Sequence, residues 1–312
     1  MRILVTGITG FIGSNLAKYL MSRGHYVLGI ARSIKKLSPY SLLGVDADVV
    51  FMDLAKAGIE ELKYIIEKHD IDSVIHLAAV SIVRQVRHNP VYAVKVNVLA
   101  TMKLLEACRR ASVERIIIAS TDKVYGEGTN RTESSPLEPI ELYGATKAAM
   151  DILARVWAKT YYYPIIVTRC CNVYGPGDVN PRIIPRTIYR CMKGLKPIIY
   201  SNYLGLREYI YIDDVCRAYQ MLLESNIAGV FNIGSGEVLS QAEVVKKILE
   251  HFPNIEPEYQ AHYGQEIKAQ SLNSSRIREL LGWKPLISFD EGIKRTIEWW
   301  KANWDKLKHL NL

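Results

Sequence analysis

The chain lacks several features that would assign it to a particular class of protein. No apolar run approaches the roughly 18 residues that a membrane helix requires, so no membrane span is expected. The opening residues, MRILVTG, lack the basic and apolar regions of a signal peptide, and we expect a cytoplasmic protein. With 312 residues of which 49% are hydrophobic, the sequence can bury the core of one large or two modest domains.

The sequence also lacks the cysteine spacing typical of disulfide-rich or zinc proteins and the charge clusters typical of nucleic-acid-binding proteins. The five cysteines are odd in number and show no CxxC spacing, which argues against structural disulfides and against a zinc site. The formal charge is +8, but the sequence has no basic block of five or more residues, so no nucleic-acid partner is expected. We interpret the positive charge as a solvated surface that favours anionic ligands.

Short runs rich in Val and Ile alternate with helical patterns through the first half of the chain. RILVTG, YVLGIA, ADVVFMD, SVIHLAA, RIIIAS and PIIVTR have the length and composition of buried strands. Between them, segments such as SNLAKYLMSRG and IEELKYIIEKHD space their apolar residues with a helical period. Alternation of this kind predicts an α/β fold with a Rossmann-type, doubly wound parallel sheet.

The pattern changes after about residue 172, where NVYGPGDVNPRIIP is rich in Gly and Pro and shorter elements follow. We predict a Rossmann domain over residues 1–171, with a returning segment near 206–232. Residues 172–205 and 233–312 are predicted to form a smaller α/β domain at the C-terminal side.

A glycine-rich loop, TGITGFIG, lies between the first strand and the first helix. Gly7, Gly10 and Gly13 permit a tight turn and the close approach of a pyrophosphate. Phe11 and Ile12 would open the helix, whose N–H groups and dipole favour an anion. The position after a strand and before a helix predicts a dinucleotide site, and a glycine-rich turn without a ligand is the alternative.

The end of the second strand bears on the choice of nicotinamide cofactor. A carboxylate there would bind the adenosine ribose hydroxyls, but the sequence reads GIARS. Arg32 and Ser33 are suited to a 2′-phosphate, which favours NADP, with NAD as the alternative. Asp53, followed by Leu54, is placed to accept from an adenine amino group, but it is equally well placed to cap a helix.

YGATK places Tyr143 and Lys147 four residues apart and therefore on one face of a helix. Tyrosine is a poor base at neutral pH because its reference pKa is about 10. A neighbouring ammonium together with a cationic nicotinamide ring would favour the phenolate. Ser120 and Thr121, at the end of a strand, would hold a substrate oxygen.

TGxxGxxG, HLAA (76–79), STDKVYG and YGATK together resemble the extended short-chain dehydrogenase/reductase family of nucleotide-sugar epimerases and dehydratases. The resemblance covers essentially the whole chain, including NVYGPG, REYIYIDD and LGWKP. It implies that Thr121, Tyr143 and Lys147 form the catalytic set and that a tightly bound NAD(P)+ is the cofactor. It also implies a homodimer formed by long helices around residues 92–110 and 144–161.

The resemblance extends to the binding residues, and the cofactor ribose would be bordered by the loop after HL. The cofactor contacts that it implies beyond the glycine loop are Leu77, Ala78, Ala79 and Asn97. The nucleotide-sugar contacts that it implies are Val80, Ser81, Arg84, Asn172 and Arg207. Where many relatives carry an Arg-Pro pair that holds the diphosphate, this sequence has AHYGQEI, and we expect Arg182 to take that role.

Asp122 and Lys123 distinguish the branches of the family. Dehydratases of the dTDP-glucose and GDP-mannose types have a glutamate where Lys123 stands. An Asp-Lys pair resembles CDP-glucose 4,6-dehydratases and inverting UDP-N-acetylglucosamine dehydratases. We therefore predict a nucleotide-sugar 4,6-dehydratase in which Asp122 is the acid for the 6-hydroxyl and Lys123 the base at C5, the roles being reversible.

Three alternatives remain open from the sequence. If Lys123 points away and Asp122 caps the following turn, a 4-epimerase that needs only the Thr-Tyr-Lys set is expected. Arg32 is compatible with an NADPH-dependent 4-keto-sugar reductase. A non-enzymatic sugar-nucleotide sensor on the same scaffold would bind cofactor without turnover. His76 is interpreted as a core histidine rather than a catalyst, and Trp299 and Trp300 as packing residues.

Overall fold

A computed structural model describes residues 1–202, 204–261 and 267–312 of the chain. The strands are β1 (Arg2–Thr6), β2 (Tyr26–Ala31), β3 (Asp48–Phe51), β4 (Ser73–His76), β5 (Arg115–Ala119), β6 (Gly128–Arg131), β7 (Ile165–Cys170), β8 (Asn172–Tyr174), β9 (Ile198–Tyr200), β10 (Leu206–Tyr211), β11 (Gly229–Ile233), β12 (Val238–Leu239), β13 (Glu258–Gln260) and β14 (Ala269–Leu272).

The helices are α1 (Phe11–Ser22), α2 (Pro39–Leu42), α3 (Ile59–Lys68), α4 (Val83–His88), α5 (Pro90–Val94), α6 (Ala100–Arg110), α7 (Leu142–Thr160), α8 (Ile183–Met192), α9 (Ile212–Glu224), α10 (Gln241–Leu249), α11 (Ser275–Leu281), α12 (Phe289–Ala302) and α13 (Trp304–Leu307). A π-helical turn, Lys95–Leu99, joins α5 to α6, and a 3-10 turn, Asp122–Tyr125, follows β5.

A parallel sheet with the strand order β11-β7-β5-β4-β1-β2-β3 forms the centre of the molecule. Its inner strands, β1, β2, β4, β5 and β7, are almost wholly buried because helices cover both faces, as their continuous apolar sequences require. The buried residues of α1 and α9 belong to the core on one face. Those of α3, α6 and α7 form the core on the other. The predicted α/β class with a doubly wound parallel sheet is confirmed.

A smaller sheet, ordered β12-β10-β14-β6 with β8 paired to β10, lies outside the central one. The segment 206–232, predicted to return to the first domain, is divided between the two sheets. Its first part, β10, belongs to the smaller sheet, whereas α9 packs against α1 and β11 pairs with β7. Near the C-terminus, Trp300 is fully buried and Trp299 packs edge-on against it, as expected of packing residues.

Two further features concern the cysteine thiols and the lengths of the helices. All five cysteines are buried free thiols, and burial raises the pKa of Cys191 to about 11 and that of Cys170 to about 12. Within the described ranges, no helix combines the length and the apolar character that crossing a bilayer demands.

The strand order also positions a binding crevice. The chain proceeds outward from β1 through β2 and β3 on one side, and from β4 through β5 and β7 on the other. The chain therefore leaves β1 toward α1 on one face of the sheet and leaves β4 toward α6 on the other face. Ligands of doubly wound sheets bind in the crevice at such a switch point. Residues 7–13, 77–80 and 120–123 follow the carboxyl ends of β1, β4 and β5, which lie along one edge of the sheet.

Candidate active site

The loop after β1 has the shape that a dinucleotide phosphate group requires. Gly7 has φ +71°, and a Cβ there would lie 2.8 Å from the backbone of Ala78. A Cβ on Gly13 would collide with the carbonyl oxygen of Gly7. Gly10 is the N-cap of α1, and no side chain caps this helix, so the first-turn N–H groups of Phe11 and its neighbours face the loop. These residues fit a pyrophosphate, which would bind where backbone N–H groups converge.

His76 is a structural residue at the end of β4. Thr101 Oγ1 donates to the Asn97 carbonyl, so it accepts from His76 Nε2 at 2.9 Å, and His76 Nδ1 accepts from Thr6 Oγ1 at 2.7 Å. Thr6 Oγ1 in turn accepts from the backbone N–H of Ala78 at 3.2 Å. Burial, together with the nearby charge of Lys147, lowers the pKa of His76 to about 3. The neutral imidazole therefore ties the loop after β4 to the glycine loop.

The same loop is held from its other side by Asn97, in the π-helical turn. Asn97 is 1% exposed, its Oδ1 accepts from Val80 N at 2.8 Å, and its Nδ2 donates to Val80 O at 3.2 Å. Nδ2 also donates to Thr146 Oγ1 at 2.9 Å. The amide thus fixes the loop that contains Leu77 and Ala79, and a direct contact between Asn97 and a cofactor stays a prediction.

The residues near the ends of β2 and β3 make contacts of their own within the protein. Arg32 is exposed, and its Nη1 donates to the Tyr92 hydroxyl at 3.0 Å. Asp53 Oδ1 accepts from Ala55 N at 3.0 Å and so caps a turn. A cleft of the surface is lined by Arg32, Ala79, Val80, Arg84, Gln85, His88, Asn89 and Tyr92. Ser33 and Ser81 are exposed, whereas Leu54 is buried.

Helix α7 begins in contact with the turn that follows β5. Its N-cap, Glu141, accepts from the backbone N–H groups of Tyr143 at 3.1 Å and Gly144 at 2.9 Å. A Cβ on Gly144 would lie 2.7 Å from the carbonyl oxygen of Lys123, so only glycine permits this approach. The contact places the phenol of Tyr143 against the side chain of Thr121, with which it forms a hydrogen bond. Glu141 and Gly144 were missed from the sequence, although the YG pair was visible in it.

The phenol of Tyr143 is a weak acid in this environment. Burial raises its pKa above the ordinary value, and the charges of Asp122 and Glu141 raise it further. The hydrogen bond with Thr121 and the positive charge of Arg182 act in the opposite direction. Thr121 Oγ1 donates to Asp122 Oδ1 at 3.0 Å, so the same hydroxyl oxygen accepts from the protonated phenol.

Lys147 lies one turn along α7 and is 4% exposed. Burial lowers the pKa of Lys147 to about 8, although the Asp151 carboxylate raises it. Its Nζ donates to the Ala119 carbonyl at the end of β5, and the positive charge that acts on Tyr143 in this structure is that of Arg182. The predicted action of the Lys147 ammonium on the Tyr143 phenolate therefore stays a prediction.

Asp122 and Lys123 form a close ion pair at the start of the 3-10 turn. Lys123 Nζ lies 3.0 Å from Asp122 Oδ2 and 3.1 Å from Oδ1, and Asp122 is 1% exposed. The cap of this turn is Thr121, whose side chain accepts from Lys123 N, so the turn does not use Asp122 as its cap. The structure therefore brings Thr121, Asp122, Lys123 and Tyr143 together at one edge of the sheet.

Gln270 completes this group and was not predicted from the sequence. It lies on β14 in the smaller sheet, is fully buried, and accepts from Lys123 Nζ at 2.6 Å. Its amide nitrogen donates to the carbonyls of Asp122 at 3.0 Å and Gly126 at 2.7 Å. No local signal in KAQSL identifies it, because the contact depends on the pairing of β14 with β6 and β10.

The residues expected to hold a diphosphate line one cleft of about 250 Å³ between β8, α8 and β10. Asn172 Nδ2 donates to the Glu208 carbonyl at 2.9 Å, and Arg182 pairs with Asp178 at 2.6 Å. Arg207, on β10, lines the same cleft. Further polar residues that line it and were missed are Arg186, Tyr200 and Gln241. Of the AHYGQEI segment, residues 262–266 lie outside the described residues.

Known proteins resemble this chain over nearly its whole length. Low-salt glycan biosynthesis protein Agl12 from Haloferax volcanii is 33% identical over 96% of this chain and 98% of its own length. dTDP-glucose 4,6-dehydratase 1 from Escherichia coli is 31% identical over 97% of this chain and 93% of its own.

Solved structures match the fold over nearly the whole chain. DesIV, a dTDP-glucose 4,6-dehydratase from Streptomyces venezuelae solved with NAD, superimposes with a TM-score of 0.90 and 30% identity over 100% of both chains. UDP-glucose 4-epimerase from Thermotoga maritima, solved with UDP-glucose, has a TM-score of 0.89 and 28% identity over 97% of this chain and 100% of its own. The model of the NAD dependent epimerase/dehydratase family matches residues 3–234. The chain belongs to this family and is an enzyme of the epimerase/dehydratase type.

Proposed function

We propose that the enzyme is a nucleotide-sugar 4,6-dehydratase that converts a nucleoside-diphosphate hexose into its 4-keto-6-deoxy form. The observation that carries the proposal is the ion pair between buried Asp122 and partly exposed Lys123, beside Thr121 and Tyr143. A 4-epimerase needs an oxidation at C4 and rotation of the sugar, and it has no use for an acid and a base at C5 and C6. The dTDP-glucose 4,6-dehydratases among the relatives support the same assignment.

The cofactor that we propose is NAD, held over the glycine loop with its ribose near Leu77, Ala78 and Ala79. Several related solved structures contain NAD, and the preference for NADP expected from Arg32 gains no support from them. The Arg32 guanidinium is hydrogen-bonded to Tyr92 in this chain. When bound, the nicotinamide would oxidise the hexose at C4 and return the same reducing equivalent at C6, so the overall reaction is redox-neutral.

Tyr143 would take the proton of the 4-hydroxyl, with Thr121 holding the same oxygen. Its high pKa means that the free enzyme keeps the phenol protonated at neutral pH, so further positive charge must act on it during the reaction. Lys147 and the cationic ring would supply that charge, since Lys147 lies one turn away on the same helix face.

The Asp122-Lys123 pair is suited to remove water across C5 and C6. A carboxylate with an ammonium and a carboxylic acid with an amine contain the same number of protons, so one proton transfer between Asp122 and Lys123 converts the first form to the second. Exclusion of water by a bound hexose favours the neutral form, because desolvation penalises separated charge. Neutral Lys123 would accept the C5 proton while Asp122 protonates the departing 6-hydroxyl, which leaves as water.

The nucleotide is proposed to bind in the cleft of Asn172, Arg182 and Arg207. Arginine presents a planar fork that matches phosphate oxygens, and two arginines suit a diphosphate. The Asp122-Lys123 pair resembles that of CDP-glucose enzymes, so CDP-glucose is the first substrate to test. The dehydratases among the relatives act on dTDP-glucose, which makes that sugar the second.

We also propose a homodimer in which α5, α6 and α7 of two chains pack as a helix bundle. Apolar side chains of α5, the π-helical turn and α7 are 42% to 66% exposed, which is unusual for so many neighbouring aliphatic residues: Val91, Val94, Leu99, Ile152, Leu153 and Val156.

The proposal is tested by incubating the purified enzyme with CDP-, dTDP-, UDP- and GDP-hexoses in ²H₂O. We expect one 4-keto-6-deoxy product, detected by mass spectrometry as loss of water, with deuterium at C5. Exchange between gluco and galacto forms without loss of water would identify a 4-epimerase instead and contradict the proposal. Bound cofactor without turnover on any sugar would identify a binding protein.

A variant pair separates the two chemistries within one active site. Lys123→Met should leave oxidation at C4 intact but lower dehydration by about 10²- to 10⁴-fold, the range for loss of a general base. Lys68→Met, on the exposed end of α3, is the control and should behave as the wild type. Undiminished dehydration by Lys123→Met would remove that lysine from the mechanism.

A further inference from the structure

Gln270 connects the smaller sheet to Asp122 and Lys123, the pair that we assign to the elimination of water. It lies 147 residues from Lys123 in sequence, on β14, and it has no exposed surface. All of its side-chain hydrogen bonds within the described residues go to the turn after β5, that is, to Asp122, Lys123 and Gly126. The hydrogen bonds of this buried amide therefore hold the turn that carries Asp122 and Lys123. The role inferred for Gln270 rests on the function proposed for that pair.

The orientation of the Gln270 amide is determined by its partners. Two backbone carbonyls, of Asp122 and Gly126, lie 3.0 Å and 2.7 Å from one end of the amide. Carbonyls only accept hydrogen bonds, so this end must be the NH₂ group. The oxygen therefore faces Lys123 Nζ at 2.6 Å, and it accepts a hydrogen bond from the lysine.

The Gln270 amide oxygen is uncharged, unlike a carboxylate, and this difference affects how well Lys123 can act as a base. Both the ammonium and the neutral amine of lysine carry N–H groups, so Gln270 can bind Lys123 in either form without favouring the charged one strongly. A carboxylate in its place would hold the proton on Lys123 by charge. The Asp122 carboxylate and the Gln270 oxygen together occupy two directions around Nζ, which leaves the remaining direction for the substrate.

We propose that Gln270 is a positioning residue for the elimination step, which fixes the direction of the Lys123 amine toward C5 while leaving it free to give up and accept its proton. Gln270 does not touch the reacting atoms, and it acts through Lys123 and through the backbone of Asp122. Because β14 pairs with β10, which carries Arg207, the strand that aims the base is adjacent to the strand that faces the nucleotide cleft.

The first test compares Gln270→Met with Asn232→Leu. Asn232 is an equally buried amide that donates to two backbone carbonyls, at 2.8 Å and 3.0 Å, and accepts from the Tyr125 hydroxyl. Both variants should lose similar thermal stability, but only Gln270→Met should uncouple the two chemical steps. We expect its dehydration to fall about 10- to 100-fold, as for a misdirected base, while single-turnover oxidation at C4 changes little.

The second test is Gln270→Glu, which keeps the size and adds a charge. The charged groups that face Lys123 are then Asp122 and the new carboxylate, with the Glu208 carboxylate close enough to Asp122 to interact with it. The ammonium of Lys123 should persist to higher pH, so the rate of C5 proton exchange should reach its plateau about one pH unit or more above that of the wild type. Asn232→Leu should not shift this profile.

Two results would overturn the inference alone, both with a wild-type enzyme that dehydrates its sugar. One is an unchanged ratio of dehydration to C4 oxidation in Gln270→Met, and the other is an unshifted pH profile in Gln270→Glu. A wild-type enzyme that oxidises C4 but never forms a 4-keto-6-deoxy sugar would overturn the proposed function and this inference together.

Discussion

Lys147 shows how strongly burial changes a single residue in this protein. Its ammonium is 4% exposed, it is held by the Ala119 carbonyl, and it lies near a second buried group, Asp151. Burial alone would raise the pKa of Asp151, but hydrogen bonds from Arg169 outweigh this and lower it, so Asp151 stays charged. The negative charge of Asp151 therefore partly offsets the lowering of the Lys147 pKa by burial.

The low pKa of Lys147 predicts a measurable effect of pH on stability. Between its folded value of about 8 and its ordinary value of 10.5, the unfolded chain binds this proton and the folded chain does not. The free energy of unfolding of the wild type, relative to that of Lys147→Met, should therefore rise with pH across this window, by on the order of 2–3 kcal/mol. Urea unfolding of cofactor-free protein from pH 7.5 to pH 10 measures it, and parallel profiles for the two proteins would contradict it.

The start of α7 is the element whose placement the active site depends on. Glu141 caps the helix, and Gly144 brings its first turn onto the carbonyl of Lys123. This contact sets the distance between Tyr143 and Thr121. Tyr143 lies on α7, whereas Thr121 precedes the 3-10 turn. A small shift of the helix would therefore move the Tyr143 phenol away from the Thr121 hydroxyl, with which it is proposed to bind the same substrate oxygen.

Gly144→Ala tests this close approach. Alanine is the better helix former by about 1 kcal/mol, so helix propensity alone predicts a gain in stability. The clash with the Lys123 carbonyl should reverse that sign, and a helix displaced by a fraction of an ångström should lower turnover by about tenfold or more. Gly58→Ala, at the N-cap of α3 with nothing within 4 Å of a Cβ, is the control and should change turnover little. Full activity with raised stability in Gly144→Ala would show that the helix start tolerates a side chain.

On the scale of the whole molecule, the exposed aliphatic residues of α5, the π-helical turn and α7 lie on the face opposite α1 and α9. The core beneath them is complete, since Met150, Ala154 and Trp157 of α7 are buried within the chain. The outward-facing residues therefore have no packing role inside one chain. Burying them between two copies would remove apolar surface from water on both, which is the usual driving force of a two-fold symmetric dimer.

Charged substitutions in this face are expected to separate the proposed dimer. Val156→Glu places a carboxylate on the exposed side of α7 in each chain, so the proposed interface would have to bury an unpaired charge from both chains. Light scattering coupled to size exclusion should show the mass fall from two chains to one. Leu286→Glu, at a residue 62% exposed in the turn before α12, is the control and should keep the wild-type mass. A wild-type chain that elutes as a monomer would contradict the dimer.

Local sequence patterns were sufficient to predict the elements and much of the site. The alternation of Val- and Ile-rich runs with helical periods predicted the parallel sheet, since these periods follow from backbone geometry alone. The glycines of the first loop and the spacing of Tyr143 and Lys147 were also legible, because each depends on neighbours within about two helical turns.

The tertiary structure decided which of these residues contact one another. Arg32 is hydrogen-bonded to Tyr92, Lys147 to the Ala119 carbonyl, and Lys123 to Gln270. None of these partners has a sequence signal, because each contact depends on which strands pair and how closely a helix approaches a turn. The sequence by itself therefore determined the elements and the reactive residue types, whereas the direction of each side chain and the protonation of the buried ones follow from burial and from hydrogen bonds between distant segments.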